Sequence, residues 1–408
     1  MFLDSLLKRF VQRGSLTVID ARGRTSTYSG GEGPRVAVRM TDPSLSWKLF
    51  VNPELHAGEA YMNGTLVIER GTIRDFLMLF ALNSGNLRSH PLQQFVRGTM
   101  KRVKRLQQRN TAKVASKNVR HHYDLSNDFY RLWLDQDMHY SCAYFADDDD
   151  TLEQAQQNKL RHIAAKLDLK PGQRVLDIGC GWGGMALYLA AVADVEVVGV
   201  TLSKEQLALA QQRAKERSLD KRVRFELLDY RHVQGPFDRI VSVGMFEHVG
   251  VQYFGEYFGT ISKLLKDDGI ALVHSIGRKA GPGQTGAWVR RYIFPGGYSP
   301  ALSETLAAVE KSSLWVTDIE ILRLHYAKTL AEWERRFQSH RQTIAGMMDE
   351  RFCRMWEFYL IASELSFSHG KHMNFQIQLT KNVRALPLTR DYMFESERTL
   401  PAKVAKPK

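Results

Sequence analysis

The chain has few cysteines, and their arrangement narrows what it can be. Cys142, Cys180 and Cys353 are odd in number, far apart in sequence and without C-x-x-C spacing. This pattern argues against a disulfide framework and against a zinc site, and it fits a reducing cytoplasm. We therefore expect no bound metal.

Long apolar runs are also missing. A membrane-spanning helix needs about 18 uncharged apolar residues or more, and Asp194 and Glu196 interrupt the best candidate, which starts after Met185. The N-terminal segment MFLDSLLKRF has apolar residues at helical spacing, but Asp4 and its short apolar stretch exclude a standard signal peptide. Any membrane contact is thus expected to be peripheral, from the cytoplasmic side.

Acidic residues are in deficit. The chain has 57 Lys and Arg against 44 Asp and Glu, a formal net charge of +13. Such a charge attracts a protein to nucleic acid or to a membrane surface rich in acidic lipids, and charge alone does not choose between them.

The length of 408 residues, with 44% hydrophobic and 25% charged residues, predicts a folded protein of two domains. Residues 1–90 are predicted to form a small mixed domain with a first amphipathic helix and strand-like runs such as Arg35-Val-Ala-Val-Arg-Met40. Residues 121–395 are predicted to form the second domain, and 396–408 a flexible basic tail.

A basic segment, residues 91–120, separates the two predicted domains. Nine Lys or Arg and no Asp or Glu lie between Arg97 and Arg120, and apolar residues recur at three- and four-residue spacing. The pattern predicts a basic amphipathic helix. It is either a solvated linker or an interfacial helix against anionic head groups.

From about residue 170 the periodicity alternates between strands and helices, which predicts an open α/β sheet. Five strands and two helices are predicted in turn: strand Arg174–Ile178, helix Met185–Ala193, strand Val195–Val200, helix Lys204–Arg217, and strands Val223–Leu228, Phe237–Val243 and Ile270–Ile276. A loop from Gly277 to Pro300, two long helices and a last strand over Phe375–Leu379 are predicted to follow.

The most specific local motif is Val175-Leu-Asp-Ile-Gly-Cys-Gly-Trp-Gly-Gly184. Its glycines allow a tight turn from strand to helix whose backbone approaches a ligand closely. They also satisfy the G-x-G-x-x-G fingerprint of dinucleotide sites, which is a weak match by itself. Two features argue against a dinucleotide: Asp177 precedes the first glycine by two residues, and Gly199-Val-Thr-Leu-Ser203 lacks the acid that would bind a ribose.

Six further segments extend the motif, and they occur in one order: His122-Tyr-Asp-Leu-Ser-Asn-Asp-Phe-Tyr130, Tyr140-Ser-Cys-Ala-Tyr-Phe145, Gly199-Val-Thr-Leu-Ser-Lys-Glu-Gln206, Met245-Phe-Glu-His-Val-Gly250, Tyr292-Ile-Phe-Pro-Gly-Gly297 and His325-Tyr-Ala-Lys-Thr-Leu330. Together they resemble the cyclopropane-fatty-acyl-phospholipid synthase and mycolic acid cyclopropane synthase family. Gly58-Glu-Ala-Tyr-Met-Asn-Gly64 resembles the lipid-facing N-terminal domain of its longer bacterial members.

The resemblance implies a Rossmann-like class I methyltransferase sheet with a helical insertion, and S-adenosylmethionine as the cofactor. It also implies a homodimer and an anionic phospholipid surface as partner. The positions that match the family's cofactor contacts are Tyr140, Ser141, Asp177, Gly179, Gly181, Thr201, Leu202, Gln206, Asp229 and Tyr230. Without the resemblance, Thr201 and Ser203 could equally cap the next helix.

The family resemblance also implies a reaction at the double bond of a phospholipid acyl chain. The methyl of the cofactor adds to the alkene, and a bound bicarbonate ion takes a proton so that a cyclopropane ring closes. The positions that match the residues holding this ion are Cys142, Glu247, His274 and Tyr326. Glu247 and His274 follow or end predicted strands, where open α/β sheets bind ligands. Without the resemblance, a tyrosine such as Tyr326 on an apolar helix face is more often a core residue, and a cysteine such as Cys142 is usually a small buried hydrophobe.

One position departs from the family pattern. Ser363 stands where the typical bacterial synthase carries a cysteine, which weakens the expectation of ring closure more than that of methyl transfer. A related fatty-acyl methyltransferase that leaves a methyl or methylene branch is therefore an alternative. A small-molecule methyltransferase and a lipid-binding protein with an inactive fold are others. A nucleic-acid enzyme is not favoured, because the N/D-P-P-Y/F motif is absent.

Overall fold

The computed structural model describes residues 2–86 and 125–401. The predicted basic helix and the end of the predicted tail lie outside the described residues. The helices are α1 (Phe2–Phe10), α2 (Leu45–Val51), α3 (Pro53–Met62), α4 (Ile73–Asn83), α5 (Asn127–Arg131), α6 (Leu152–Lys166), α7 (Gly184–Ala193), α8 (Lys204–Glu216), α9 (Phe254–Leu264), α10 (Ala287–Tyr292), α11 (Leu302–Val309), α12 (His325–Ser339), α13 (Arg341–Met347), α14 (Glu350–Ser368) and α15 (Asp391–Thr399).

The strands form two sheets. They are β1 (Arg13–Ile19), β2 (Thr25–Ser29), β3 (Gly31–Met40), β4 (Leu66–Arg70), β5 (Arg174–Ile178), β6 (Glu196–Thr201), β7 (Val223–Leu227), β8 (Phe237–Val243), β9 (Leu265–Arg278), β10 (Trp315–Ile321) and β11 (His372–Thr380). The first sheet has the order β2-β1-β3-β4, and the second has the order β10-β11-β9-β8-β5-β6-β7.

The chain divides into two compact units. The first combines the N-terminal residues up to 107 with 284–295 and 330–371, and the second contains 108–283, 296–329 and 372–408. Each sheet lies within one unit.

The seven-stranded sheet of the second unit is parallel from β9 to β7. Only β11 reverses direction, and it pairs antiparallel with both β9 and β10. The chain moves outward from β5 to β7 and then returns to β8 on the other side of β5. This reversal creates a crevice at the carboxyl end of β5, where open α/β sheets bind ligands.

Apolar side chains cover both faces of this sheet, as a parallel sheet requires. On one face, Val175, Val197 and Leu272 pack with residues of α6, α7 and α8. On the other, Leu176 and Ile240 belong to a cluster that includes residues of α9 and α11. The predicted fold class, an α/β methyltransferase sheet with a small additional mixed region, is confirmed.

Three elements differ from the sequence prediction. β9 is longer at both ends than Ile270–Ile276, because it pairs with β8 from Leu265 and with β11 as far as Arg278. The predicted loop of residues 277–300 contains α10. β10 was not predicted, because its burial is the reverse of what the residue types suggest: the charged Asp318 is buried, while the apolar Trp315 and Val316 are exposed.

In the first unit, the Gly58–Gly64 motif contacts α10. Trp288 lies so close to Gly58 that a Cβ there would meet its ring nitrogen at 2.4 Å. The Tyr292 hydroxyl donates to Glu59 at 2.8 Å, and Arg291 forms an ion pair with the same carboxylate. The motif residues therefore have structural partners within their own unit.

Among the described residues, no helix combines the length and apolarity that crossing a bilayer would require.

Candidate cofactor and reaction site

A cavity opens at the carboxyl end of β5, above the glycine-rich turn. Gly179 has φ +79° and Gly181 has φ +54°, a backbone region that side chains with a Cβ rarely adopt. A Cβ at Gly179 would lie 2.9 Å from the Met245 side chain, whereas one at Gly181 would meet no atom within 4 Å. The turn thus leaves its backbone open toward the cavity.

The residues that the sequence assigns to cofactor binding meet at this cavity. All ten line it: Tyr140, Ser141, Asp177, Gly179, Gly181, Thr201, Leu202, Gln206, Asp229 and Tyr230. They come from the segment before α6, from β5 and the turn after it, from the end of β6 and the first turn of α8, and from the residues that follow β7. The cavity has a volume of about 1210 Å³ when the space at its open side is included. That these ten residues contact a cofactor remains a prediction.

Asp177 supplies a buried carboxylate to the cavity. The residue is 1% exposed, and burial raises the pKa of its carboxyl to about 7. Its Oδ2 has no hydrogen-bond partner among the described residues. A buried oxygen of this kind costs free energy unless a ligand satisfies it. Asp177 therefore fits the ammonium group of an amino-acid cofactor.

The helix after β6 shows how the two readings of Thr201 and Ser203 combine. The Ser203 side chain caps α8 by accepting from the Gln206 backbone N–H at 3.3 Å. The Thr201 hydroxyl instead donates to the Gln206 side chain at 2.9 Å and lines the cavity. Ser203 is thus the helix cap.

Asp229, at the end of β7, is held rigidly. Arg231 donates two hydrogen bonds to its carboxylate, at 2.8 and 2.7 Å. Burial alone would raise the pKa of Asp229, but these hydrogen bonds lower it below its ordinary value. The carboxylate is therefore ionised beside Tyr230, the other predicted adenine contact.

Lys159 and His139 are among the cavity residues that were not predicted from the sequence. Lys159 on α6 is 1% exposed and donates to the Ser141 hydroxyl at 3.0 Å, and burial lowers the pKa of its ammonium to about 8. His139 is held by Asp135, which contacts its Nδ1 at 2.8 Å, and its Nε2 has no partner among the described residues. Both side chains line the cavity.

Gly184, the first residue of α7, allows His139 to approach the start of that helix. A Cβ at Gly184 would lie 2.3 Å from His139 Nε2. Gly184→Ala should therefore displace the His139 ring and weaken S-adenosylhomocysteine binding by about tenfold or more, measured by titration calorimetry, because overpacking a buried site costs roughly 1–3 kcal/mol.

Gly255→Ala is the matched control for this substitution, because Gly255 is also in the first turn of a helix and a Cβ there would meet nothing within 4 Å. Equal affinity of the Gly184→Ala and Gly255→Ala variants would show that the His139 contact does not shape the cavity.

Glu247 and His274 are both connected to the pairing of β8 with β9. His274 pairs with Val243, the last residue of β8, and its carbonyl accepts from the Gly244 N–H at 2.9 Å. Glu247 follows in a short 3-10 turn, and its Oε1 accepts from the Ile276 N–H at 2.6 Å. The carboxyl thereby continues the β8–β9 hydrogen-bond ladder beyond the last backbone group of β8.

Each of these two side chains also has an unsatisfied polar atom. Glu247 Oε2 and His274 Nε2 are buried and have no hydrogen-bond partner among the described residues. Burial raises the pKa of Glu247 to about 7 and lowers that of His274 to about 3. His274 is therefore a neutral imidazole, and Glu247 can exchange a proton near neutral pH.

A contact between their neighbours links the segments that carry Cys142 and Tyr326. The N–H of Ala143, next to Cys142, donates to the Thr329 hydroxyl at 3.0 Å, one turn beyond Tyr326 on α12. The Cys142 thiol is buried and donates to the Ala143 carbonyl at 3.3 Å, and burial raises its pKa above the ordinary value. Cys142 is thus no thiolate nucleophile.

The segment that leads into α12, the helix of Tyr326, is connected to β9 through β11. The Leu322 N–H donates to the Asn374 carbonyl at 2.8 Å, and Asn374 pairs with Ile276, the residue that Glu247 contacts. None of the four predicted reaction residues is among the described lining of the cavity, but Ser141 and His248, which adjoin Cys142 and Glu247 in sequence, line it. The catalytic roles stay predictions.

Four aromatic residues around the Glu247 turn belong to the core. Phe246, Phe254, Tyr257 and Phe258 are at most 3% exposed and belong to one cluster with the sheet. Their apolar side chains hold the Glu247 turn against β8 and α9.

The strand order, the glycine turn and the cavity beside it define a class I S-adenosylmethionine-dependent methyltransferase. A family model described as mycolic acid cyclopropane synthetase matches residues 110–377. The chain belongs to this family.

Known relatives are similar over most of this chain. A probable fatty acid methyltransferase of Pseudomonas putida is 39% identical over 89% of this chain and 93% of its own length. The cyclopropane-fatty-acyl-phospholipid synthase of Escherichia coli strain K12 is also 39% identical, over 85% of this chain and 88% of its own. The solved mycolic acid cyclopropane synthase CmaA1, complexed with SAH and CTAB, is 34% identical with a TM-score of 0.62, and the match covers 65% of this chain and 97% of that one.

Proposed function

We propose that this enzyme transfers the methyl group of S-adenosylmethionine to the cis double bond of a phospholipid acyl chain and then removes a proton to give a cyclopropane ring. The observation that carries the proposal is that two buried polar atoms, Glu247 Oε2 after β8 and His274 Nε2 on the neighbouring β9, have no hydrogen-bond partner among the described residues. The names of the relatives, and the CTAB in the solved one, support a long-chain lipid as the substrate.

The residues of the cavity fit the cofactor, which supplies the methyl group when bound. Asp177 would face its ammonium group, while Asp229 and Tyr230 would frame its adenine. The turn at Gly179 and Gly181 lets the backbone come close.

Ring closure requires a base, and the chain offers a place for an anion rather than a free basic side chain. His274 and Tyr326 can donate hydrogen bonds to a bicarbonate ion, and the Cys142 segment adjoins Tyr326 through Thr329. Glu247 can contribute in either protonation state: protonated, it donates a hydrogen bond to the ion, and as a carboxylate it accepts the proton of the ion. Both states are accessible because burial raises the pKa of Glu247 to about 7. The proton lost from the new methyl group leaves to solvent through the ion.

The partner surface is proposed to be a membrane that contains acidic phospholipids. The net charge of +13 supports this. Trp47, on α2 of the first unit, is 59% exposed, and amphipathic rings of this kind favour the membrane–water interface.

The proposal is tested with vesicles of phosphatidylglycerol that carry cis-unsaturated acyl chains, with isotope-labelled S-adenosylmethionine. Each modified chain should gain the mass of one CH₂ group and lose its olefinic protons by NMR. Duplex DNA at matched salt should receive no label. Absence of label in the lipid would contradict the proposal.

The same experiment separates a second candidate, transfer without ring closure. It is favoured by the equal identity to a probable fatty acid methyltransferase and by Ser363 in place of the family cysteine. A methylene branch has the same mass as the ring but retains olefinic protons, so the NMR spectrum decides.

A further inference from the structure

His274 does not stand alone on its strand. It pairs directly with Gln376 of β11, and the two side chains contact each other: Gln376 Nε2 lies 3.1 Å from His274 Nδ1. Both residues are 1% exposed. A hydrogen bond in this setting fixes which imidazole nitrogen carries the proton.

The orientation of the Gln376 amide follows from its other neighbour. The Lys166 ammonium donates to Gln376 Oε1 at 2.7 Å. An ammonium group has only donors, so the amide atom that faces it must be the oxygen. The amide nitrogen is then left to face His274, where it donates, and His274 Nδ1 must accept. In the neutral imidazole the proton consequently lies on Nε2.

Lys166 is held in turn by a partly buried charged network. Its ammonium forms an ion pair with Glu320, and the same carboxylate oxygen lies 2.7 Å from His162 Nε2. His162 Nδ1 lies 3.0 Å from Glu397 of α15. Burial alone would lower the pKa of His162, but the two glutamates raise it. Protonated His162, between the carboxylates of Glu320 and Glu397, keeps Glu320 in place. Glu320 in turn keeps Lys166 in place.

We propose that Gln376 and Lys166 are positioning residues that hold His274 as the Nε2–H tautomer, so that this residue offers a buried N–H donor to the predicted anion. The role of this tautomer in the reaction rests on the proposed function. His274 Nε2 is the buried atom that has no partner among the described residues. Because its two nitrogens are then occupied by an accepted hydrogen bond and by a proton, His274 cannot be the base that receives the departing proton. Its task is to bind an anion, and that anion is the base.

The test is ¹⁵N NMR of the full-length protein labelled at histidine. The His274 signals are identified by their loss in a His274→Gln variant. In the wild-type protein, Nδ1 should have the chemical shift of an unprotonated nitrogen and Nε2 that of a protonated one. The reverse pattern would overturn the proposal, whatever the variants below show.

Gln376→Glu should change this pattern. A carboxylate at this position satisfies Lys166 and offers His274 only an acceptor, so Nδ1 should become protonated. Turnover should fall about 10- to 100-fold, the range typical for residues that orient a ligand-binding histidine, while S-adenosylhomocysteine affinity stays within about twofold. An unchanged Nδ1 signal in a folded Gln376→Glu protein would also contradict the proposal.

Gln378→Glu is the matched control. Gln378 is on the same face of β11 and is also 1% exposed, but its amide donates to the Lys166 carbonyl at 2.6 Å and to the Tyr392 hydroxyl. This variant should retain the wild-type tautomer. Failure of lipid methylation in every protein, with the tautomers as expected, would refute the proposed function and leave this inference standing.

Discussion

Glu247→Gln is expected to reduce product formation by about 10²- to 10⁴-fold, the usual contribution of a group that handles a proton, while S-adenosylhomocysteine binds within about twofold of wild type. The amide can still accept from the Ile276 N–H through its oxygen, so the β8–β9 ladder survives. What it loses is the exchangeable proton at the buried Oε2 position. Single-turnover methyl transfer to vesicles and calorimetric titration of the cofactor product measure the two effects.

Glu357→Gln is the control for removing a largely buried carboxylate. Glu357 accepts from Tyr61 and Gln338 within the first unit, and its side chain is 14% exposed. Its variant should lose some stability and keep its turnover per folded molecule. Normal turnover in Glu247→Gln would remove Glu247 from the reaction.

Cofactor affinity is expected to fall at acidic pH, and Asp177 is the group that causes it. Burial raises the pKa of its carboxyl to about 7 in the free protein, whereas the ammonium of a bound cofactor favours the ionised form. Below pH 7 binding must therefore release a proton, and affinity should fall by up to about tenfold per pH unit. Above pH 7 no proton is released, and the pH dependence from this group disappears.

Asp177→Asn should remove this pH dependence between about pH 6 and 7. It should also weaken binding at the upper end by about 10- to 100-fold, since a hydrogen bond to a charged group contributes roughly 1.5–3 kcal/mol. Asp149→Asn, at an exposed position, is the control. Calorimetry with S-adenosylhomocysteine across this range provides the measurement, and an unchanged slope in Asp177→Asn would assign the proton to another group.

The sheet could be predicted because its strands and helices have clear periods. Arg174–Ile178 and Phe237–Val243 match β5 and β8 residue for residue, since buried parallel strands are near-continuous apolar runs with sharp ends. The glycine motif likewise placed the cofactor turn, because positive φ values leave few residues but glycine.

The polar groups that support the site could not be found in the same way. Gln156, Lys159, His162 and Lys166 recur at helical spacing on α6, a pattern that indicates a solvated face, yet all four are at most 6% exposed. Gln376 alternates with apolar neighbours on β11 and suggests a half-exposed strand. Their burial depends on partners distant in sequence, so it is visible only once the chain is folded.

Residues 396–399, predicted to begin a flexible tail, complete α15 instead. Glu397 on this helix contacts His162. The sequence does not predict this contact, because the two residues are far apart along the chain.

The composition of the first unit limits how the enzyme can be dissected. Trp288 is 2% exposed, and its surroundings include Gly58, Met62 and Phe358, all in that unit. A fragment that starts at residue 125 would still carry α10 and α14 but would lack Gly58 and Met62, and it would present bare indole and phenyl surface to water. A fragment that ends at residue 86 would keep Gly58 and Met62 but lose Trp288 and Phe358, so it would expose apolar surface in the same way. Genetic complementation with separately expressed halves is therefore a poor route to this enzyme, and point substitutions in the intact chain are the better tool.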